Sequence, residues 1–412
     1  MKQRMILLAS LLACLISFIE PANGCTTAIV SGKYTADGRP LLFKQRDTPD
    51  LENKLVAFSD GKYPYIGLVN TKDTLGKAVF GGFNQAGFAI MNSASYNLNP
   101  KDNGKDDGCD GFIMKLALQK CVTLTDFERL LDSLPKPLNV SANFGVIDAK
   151  GGAAYYETGN YKYRKYDAND TDVAPLGYLI RTNFSYSGDR SQDKGLSRYQ
   201  AAQDLLYQAS LTNTISVDFF IALSRNLKHG LTYTNLYDDV PSTADVPHFA
   251  AFRDYIPRYV TASSIVIQGI SKTEQASQTT MWTMLGSPLA TVAISVWITP
   301  GLELPNIMVA DKTGKAKLNE WSLQLKKRLF PIERGEGADY INLAALLAKN
   351  QQGILQKLLP VEKQIQSQAT GYQQKWRIAG RINEKELSQF YNWVDKFVAQ
   401  SYRDSFDLPT NL

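Results

Sequence analysis

Residues 21–48 read "PANGCTTAIVSGKYTADGRPLLFKQRDT". Two apolar runs, "TTAIVSG" and "PLLFKQR", flank "KYTADGR". Its Asp37-Gly38 step is a strong hairpin signal between apolar runs. The fold therefore opens on a β-hairpin, with Cys25 at the head of its first strand. Upstream, Lys2 and Arg4 precede an uncharged apolar run from Met5 to Ile19. That run is shorter than the roughly 20 residues a bilayer span needs, but suits a secretory signal. Ala22 and Gly24 place small residues where a signal peptidase wants them. Residues 1–24 are accordingly read as a signal peptide, and the mature protein as periplasmic or extracellular, beginning at Cys25.

Beyond the hairpin, "LVAFS", "YIGLVN", "AVFGGFN" and "GFAIMNSAS" read as strands. Helical spacing follows from about Gly111 to Leu134, with Thr125 and Glu128 fitting a capping box and Pro135 as the stop. "NFGVIDAKGGAAYYETG" reads as a hairpin, "LGYLIRTNFS" as a strand, and "SRYQAAQDLLYQAS" and "SVDFFIALSRNL" as helices. "TASSIVIQG", "TTMWTML" and "ATVAISVWI" return to strand. Strands, helices, strands, helices, strands suggest two sheets with helices outside them, an α+β protein without regular βαβ winding. From about Ala316 the chain turns mixed-charge and helical. Residues 25–315 are read as the catalytic domain and 316–412 as a helical extension, an appendix that could serve a homo-oligomer.

The 412 residues are 44% apolar and 21% charged, with a formal net charge of +5. Charge so weak and mixed does not indicate nucleic acid. There is no P-loop and no Gly-x-Gly-x-x-Gly after a strand, which disfavours nucleotide chemistry. The two histidines, His229 and His248, and the cysteines lack metal-ligand spacing, so neither metal nor cofactor is expected. Cleavage before Cys25 removes Cys14 and leaves Cys25, Cys109 and Cys121. A helix separates the last two by more than a local disulfide easily spans. Cys121 is best read as a small buried apolar residue.

An N-terminal cysteine has chemistry of its own. A thiol attacks as thiolate and needs a base. A free α-amine, with an ordinary pKa near 7.7, is such a base at neutral pH. Five blocks then fall in order: Cys25-Thr26 with the hairpin ending Lys44-Gln45-Arg46-Asp47, "FNQAGFAIMN", "LALQKCVTLTDFERLL", "LIRTNFSYSG" and "LSRYQAA". Together they resemble the cysteine N-terminal-nucleophile hydrolases of the choloylglycine hydrolase, penicillin V acylase and isopenicillin N acyltransferase group. The resemblance covers roughly Cys25 to Trp297 and implies a four-layer αββα sandwich of two antiparallel sheets. By that resemblance Cys25 would be nucleophile and base, and Asp47 would bind the α-amine. Asn183 would hold the tetrahedral intermediate, Asn92 would complete the oxyanion hole, and Arg198 would organise the surrounding charges. The group usually carries Arg-Asn-x-Asp where this chain has Lys44-Gln45-Arg46-Asp47, so Lys44 or Arg46 fills the arginine's place. Alternation turns Arg46 away from Asp47, which favours Lys44.

The implied activity is hydrolysis of a linear amide through an acyl-thioester on Cys25, with a small acyl amide as partner. Acyl transfer to another amine uses the same chemistry. A non-catalytic lipoprotein anchored through Cys25 is the contrasting class, but Ala22 and Asn23 are wrong for a lipobox. A catalytically dead relative that binds acyl amides is the third. Trp282 and Trp297 could line an acyl pocket, though core is the commoner fate of such residues. Glu157 and the tyrosines of "YYETGNYKYRKY" read as an exposed hairpin face.

Overall fold

The opening hairpin forms as expected. Strand β1 (Gly24–Val30) pairs antiparallel with β2 (Leu41–Asp47), and Gly38 takes the left-handed φ of +77° that the turn requires. The structure, a computed structural model, describes residues 24–99 and 108–410. The signal-peptide reading thus lies outside the described residues except for Gly24.

Next come β3 (Asn53–Phe58), β4 (Tyr65–Asn70), β5 (Gly81–Asn84) and β6 (Ala89–Ala94). Helices α1 (Asp110–Lys120) and α2 (Leu124–Ser133) follow, then β7 (Ala142–Ile147), β8 (Ala153–Thr158), β9 (Tyr163–Asp167) and β10 (Tyr178–Arg181). Helices α3 (Leu196–Leu211) and α4 (Val217–Leu223) precede β11 (Phe249–Ala251), β12 (Thr261–Gln268), β13 (Thr280–Leu285) and β14 (Ile294–Val296). The last part holds α5 (Lys317–Leu329), β15 (Tyr340–Asn342), α6 (Leu343–Leu346), α7 (Ile354–Ala379) and α8 (Glu384–Phe406).

Strands β3 to β9 form a seven-stranded antiparallel meander, and a six-stranded sheet runs β10-β1-β2-β12-β13-β14. The two sheets face each other. On β6, Ala89 and Met91 join the core between them, while Ile90, with Phe88 just before the strand, joins a second core under α1 and α2. Helices α3, α4 and α7 cover the six-stranded sheet, giving four layers. Strand β1 is buried along its whole length, which explains an unbroken "AIV" where a half-exposed strand would alternate.

Helix α2 is capped by Thr123 with Asp126, not by Thr125 with Glu128. "TLTDFE" holds both patterns two residues apart, and the earlier one closes: Thr123 Oγ1 accepts from Asp126 N, and Asp126 Oδ2 accepts from Thr123 N. Glu128 instead accepts a hydrogen bond from Tyr156 Oη. The exposed reading of "YYETG" also fails, because Glu157 is buried against Arg181 with both side chains fully out of solvent. Tyr155 and Tyr156 are buried on opposite faces of β8.

The C-terminal helices share the core of the six-stranded sheet. One buried cluster runs from Ala28 to Leu408, continuous across the line drawn at residue 315. Trp297 meets Trp376 of α7 edge-on at 5.3 Å and Phe390 of α8 at 6.1 Å. Trp282 and Trp297 are therefore core residues. Arg225 Nη1 and Nη2 donate to both carboxylate oxygens of Glu362, each at 2.7 Å. No disulfide joins Cys109 to Cys121, and burial pushes the Cys121 thiol up to about 12.

Candidate active site

Across the opening hairpin, Gly24 stands opposite Asp47, Cys25 opposite Arg46 and Thr27 opposite Lys44. Directly opposed residues share a face, and so do alternate residues of one strand. Cys25, Thr27, Lys44 and Arg46 therefore point one way, and Gln45 and Asp47 the other. The contacts agree. Tyr155 Oη, from the seven-stranded sheet, donates to Thr27 Oγ1 at 2.8 Å. On the other side Gln45 Nε2 donates to the Ser224 carbonyl just past α4 at 3.1 Å. The thiol looks between the sheets, and the Asp47 carboxylate looks toward the helices.

This parity corrects one expectation. Arg46 does turn away from Asp47, but Lys44 turns away with it, so alternation does not choose between them. Both flank the thiol. Lys44 Nζ donates to Asn92 Oδ1 at 2.5 Å and to the Phe80 carbonyl at 2.7 Å. Asn92 in turn donates to Asp110 at the start of α1. Arg46 lies 4.0 Å from the centre of the Phe80 ring and donates to Asn53 and, at 2.8 Å, to Asn70 Oδ1. Burial pushes Lys44 down to about 8 against the opposing charges of Cys25, Asp110 and Asp47, with Arg46 pushing the same way as burial. Arg46 falls to about 10, burial outweighing the charges of Cys25 and Asp50. Burial raises the Asp110 carboxyl against the Gly111 N–H and the Lys44 charge.

The helix side holds the backbone of Cys25. Its N–H donates to Asn183 Oδ1 at 3.1 Å. Arg198, in the first turn of α3, donates Nη1 to the Cys25 carbonyl at 2.5 Å and Nη2 to Asn183 Oδ1 at 2.7 Å. Asn183 Nδ2 donates to the Ala94 carbonyl, tying the end of β10 to the end of β6. Arg198, 2% exposed, is no solvated helix residue. Burial, then Arg258, bring it down to about 10. Asp47 accepts from Arg258 Nε at 2.8 Å and from Thr261 Oγ1 at 2.6 Å. The structure thus brings Cys25, Lys44, Asp47, Asn92, Asn183 and Arg198 to one place.

Two clefts meet there. One of about 390 Å³ is lined by Cys25, Lys44, Arg46, Asn92 and Asp110. Another of about 540 Å³ is lined by Asn183, Arg198, Phe252, Arg258 and Tyr259, and Tyr96 borders both. Gly24 sits between them. A Cβ on it would lie 2.3 Å from Arg258 Nη2 and 3.0 Å from Asn183 Oδ1. Neither histidine takes part: His229 contacts Ser197 Oγ and His248 contacts Asp239. Among the described residues no His/Cys/Asp/Glu group could hold a metal ion, and no helix is long and apolar enough to cross a membrane.

Sequence reasoning missed Arg258, Thr261 and Asp110. Arg258 lies in "DYIPRYV" before β12, where no spacing marks it. Asp110 looks like an ordinary acid in a helix's first turn.

A profile of the acyl-coenzyme A:6-aminopenicillanic acid acyltransferase family matches residues 36–242, half of the chain. The chain belongs to that family. The match contains Lys44, Asp47, Asn92, Asn183 and Arg198, and begins after Cys25. Comparison with curated proteins finds no match by sequence. Among solved structures, one similar chain is a Caenorhabditis elegans N-acylethanolamine-hydrolyzing acid amidase ortholog. It is 14% identical over 59% of this chain and 92% of its own, with a TM-score of 0.37. Another is a penicillin V acylase from Agrobacterium tumefaciens, 13% identical over 67% and 86%, also at 0.37. A third is a mutant conjugated bile acid hydrolase from Clostridium perfringens, 10% identical over 68% and 93%, at 0.37.

Proposed function

We propose that this acyltransferase-family member is an exported amidohydrolase whose nucleophile and base are the thiol and freed α-amine of Cys25. The observation that carries this reading is the grip on the Cys25 backbone: its nitrogen on Asn183 Oδ1 and its carbonyl on Arg198. Buried main-chain groups need partners in any residue, but neighbouring main chain usually supplies them; here a buried amide and a buried guanidinium do so, beside a cleft that both line. Removal of residues 1–24 would turn that nitrogen into an amine already aimed.

The thiol gives its proton to the amine, and sulfur attacks the amide carbonyl carbon. As the tetrahedral intermediate collapses, the C–N bond breaks and the ammonium returns the proton to the leaving amine. Water, deprotonated by the same amine, cleaves the thioester and releases the acid. A second amine in place of water would make the reaction acyl transfer. Asn183 accepts from the Cys25 nitrogen, which fits orientation of the base better than donation to an oxyanion. Asn92 is occupied by Lys44 and Asp110, which fits a link that fixes Lys44. Asp47 reaches the site through Arg258.

The test is the secreted protein and Cys25→Ala on a panel of penicillin V, glycine-conjugated bile salts and N-acylethanolamines, with intact mass of the mature N-terminus. We expect a free Cys25 terminus and turnover at least about 10³-fold lower in Cys25→Ala, as when a covalent nucleophile is lost. Equal activity in the variant, or a diacylglycerol-modified terminus, rejects the proposal.

A further inference from the structure

Lys326 of α5 is 3% exposed, and among the described residues its Nζ has no hydrogen-bond partner. It lies 4.1 Å from the centre of the Tyr259 ring. Phe330, just past the same helix, meets that ring edge-on at 5.3 Å and meets Phe252 at 5.9 Å. Tyr259 and Phe252 are the aromatic wall of the larger cleft beside Cys25. Phe330 shows that an apolar side chain can press on this wall. An ammonium in such a place carries a desolvation cost that a methionine of similar length would not. Helix α5 lies outside residues 36–242, so the feature is not carried by the family match.

We propose that Lys326 is a positioning residue for substrate: it holds the Tyr259 ring as the cleft wall and thereby sets how tightly the half of the acyl amide lying there is bound. The inference rests on the reading of Cys25 given above. A cation over an aromatic face is attracted to the ring's negative quadrupole, and a desolvated one more strongly. The charged groups facing Lys326 are few. Asp47 on β2 acts on it by charge, and that carboxylate is itself held by Arg258 and Thr261. Burial brings Lys326 down to about 7, with Asp47 opposing. The contact with Tyr259 is therefore fully cationic below that pH and fades above it.

The probe is phenoxyacetyl chloromethyl ketone, which alkylates the Cys25 sulfur with loss of chloride and of the thiol proton. Its saturation kinetics separate the binding constant KI from the limiting rate. In mature Lys326→Met at pH 6, KI should rise about 10-fold, the scale of a desolvated cation–π contact, with the limiting rate within about twofold. The melting temperature should hold or rise, because a buried charge has gone. That gain should be largest below pH 7. In the wild type the unfolded chain keeps the lysine proton up to its ordinary range, while the folded chain releases it near 7, so wild-type stability recovers with rising pH. Wild-type KI should weaken from pH 6 to 9, whereas Lys326→Arg should keep wild-type KI at pH 6 and stay flat. An unchanged KI in Lys326→Met, a loss confined to the limiting rate, or an arginine variant that behaves like methionine overturns the inference alone. Wild-type protein that the probe fails to label overturns the reading of Cys25 and this inference with it.

Discussion

The chain buries arginine in two ways. Arg225 meets Glu362 through two hydrogen bonds and gives two further donors to the carbonyls of Pro288 and Thr291. Burial pulls its pKa down, but the charge and hydrogen bonds of Glu362 together, with smaller help from Tyr402 and Tyr237, carry it above the ordinary arginine value. Around Cys25 the balance is reversed. Lys44, Arg46 and Arg198 are buried with too little negative charge, and all three end below their ordinary values. The first arrangement is complete and joins the C-terminal helices to the sheet. The second carries positive charge that Asp47, Asp50 and Asp110 only partly offset, the kind of imbalance that the proposed reaction could use.

The strongest way to break this contrast is Glu362→Ala. It strands Arg225 in the core and should cost about 3–5 kcal/mol in denaturant unfolding. Folded protein should label at Cys25 at the wild-type rate; slower labelling would mean that the two clusters are coupled. Asp47→Asn attacks the other side. It removes the charge that holds Arg258, and a charge-assisted hydrogen bond worth about 1.5–3 kcal/mol predicts a fall of about 10–100-fold in kcat/KM, with an unfolding loss no larger than that bond. A large loss of stability with intact kcat/KM would move Asp47 into the structural class. Smallest is the effect of pH through Lys44. Its ammonium is present below about 8 and lost above. The wild type should lose kcat/KM as pH climbs through 8, and Lys44→Arg should extend activity to higher pH. Identical alkaline limbs in the two proteins would show that the Lys44 charge is not used.

These residues were unequally legible. The Asp37-Gly38 turn and the apolar run in "GFAIMNSAS" are local, and they placed the hairpin and strand β6. Cys25 was legible as a candidate because its position, after a run that reads as a signal peptide and at the head of a strand, suggests the chemistry itself. Arg258 was not, because its partner Asp47 lies 211 residues away and only the folded sheet brings them together. Lys44 and Arg46 were visible as a pair, but their relation to the thiol needed the strand register. Glu157 looked like a surface acid because its cation, Arg181, sits two strands later in the chain. The C-terminal helices looked detachable because their polar faces dominate the composition. The residues that make them part of the core are spread thinly, as Trp376, Phe390 and Tyr402.

Strand β1 also sets a timetable. Its Thr27 pairs with Arg181 of β10, β2 pairs with β12, and the cover over that sheet ends near Leu408. During synthesis the first strand has to wait for partners made much later, and the distant contacts form only after long loops close. The half of the protein that holds Cys25 thus stays open until almost the whole chain exists. A polypeptide that folds so late remains threadable for most of its synthesis, as the export proposed above would require.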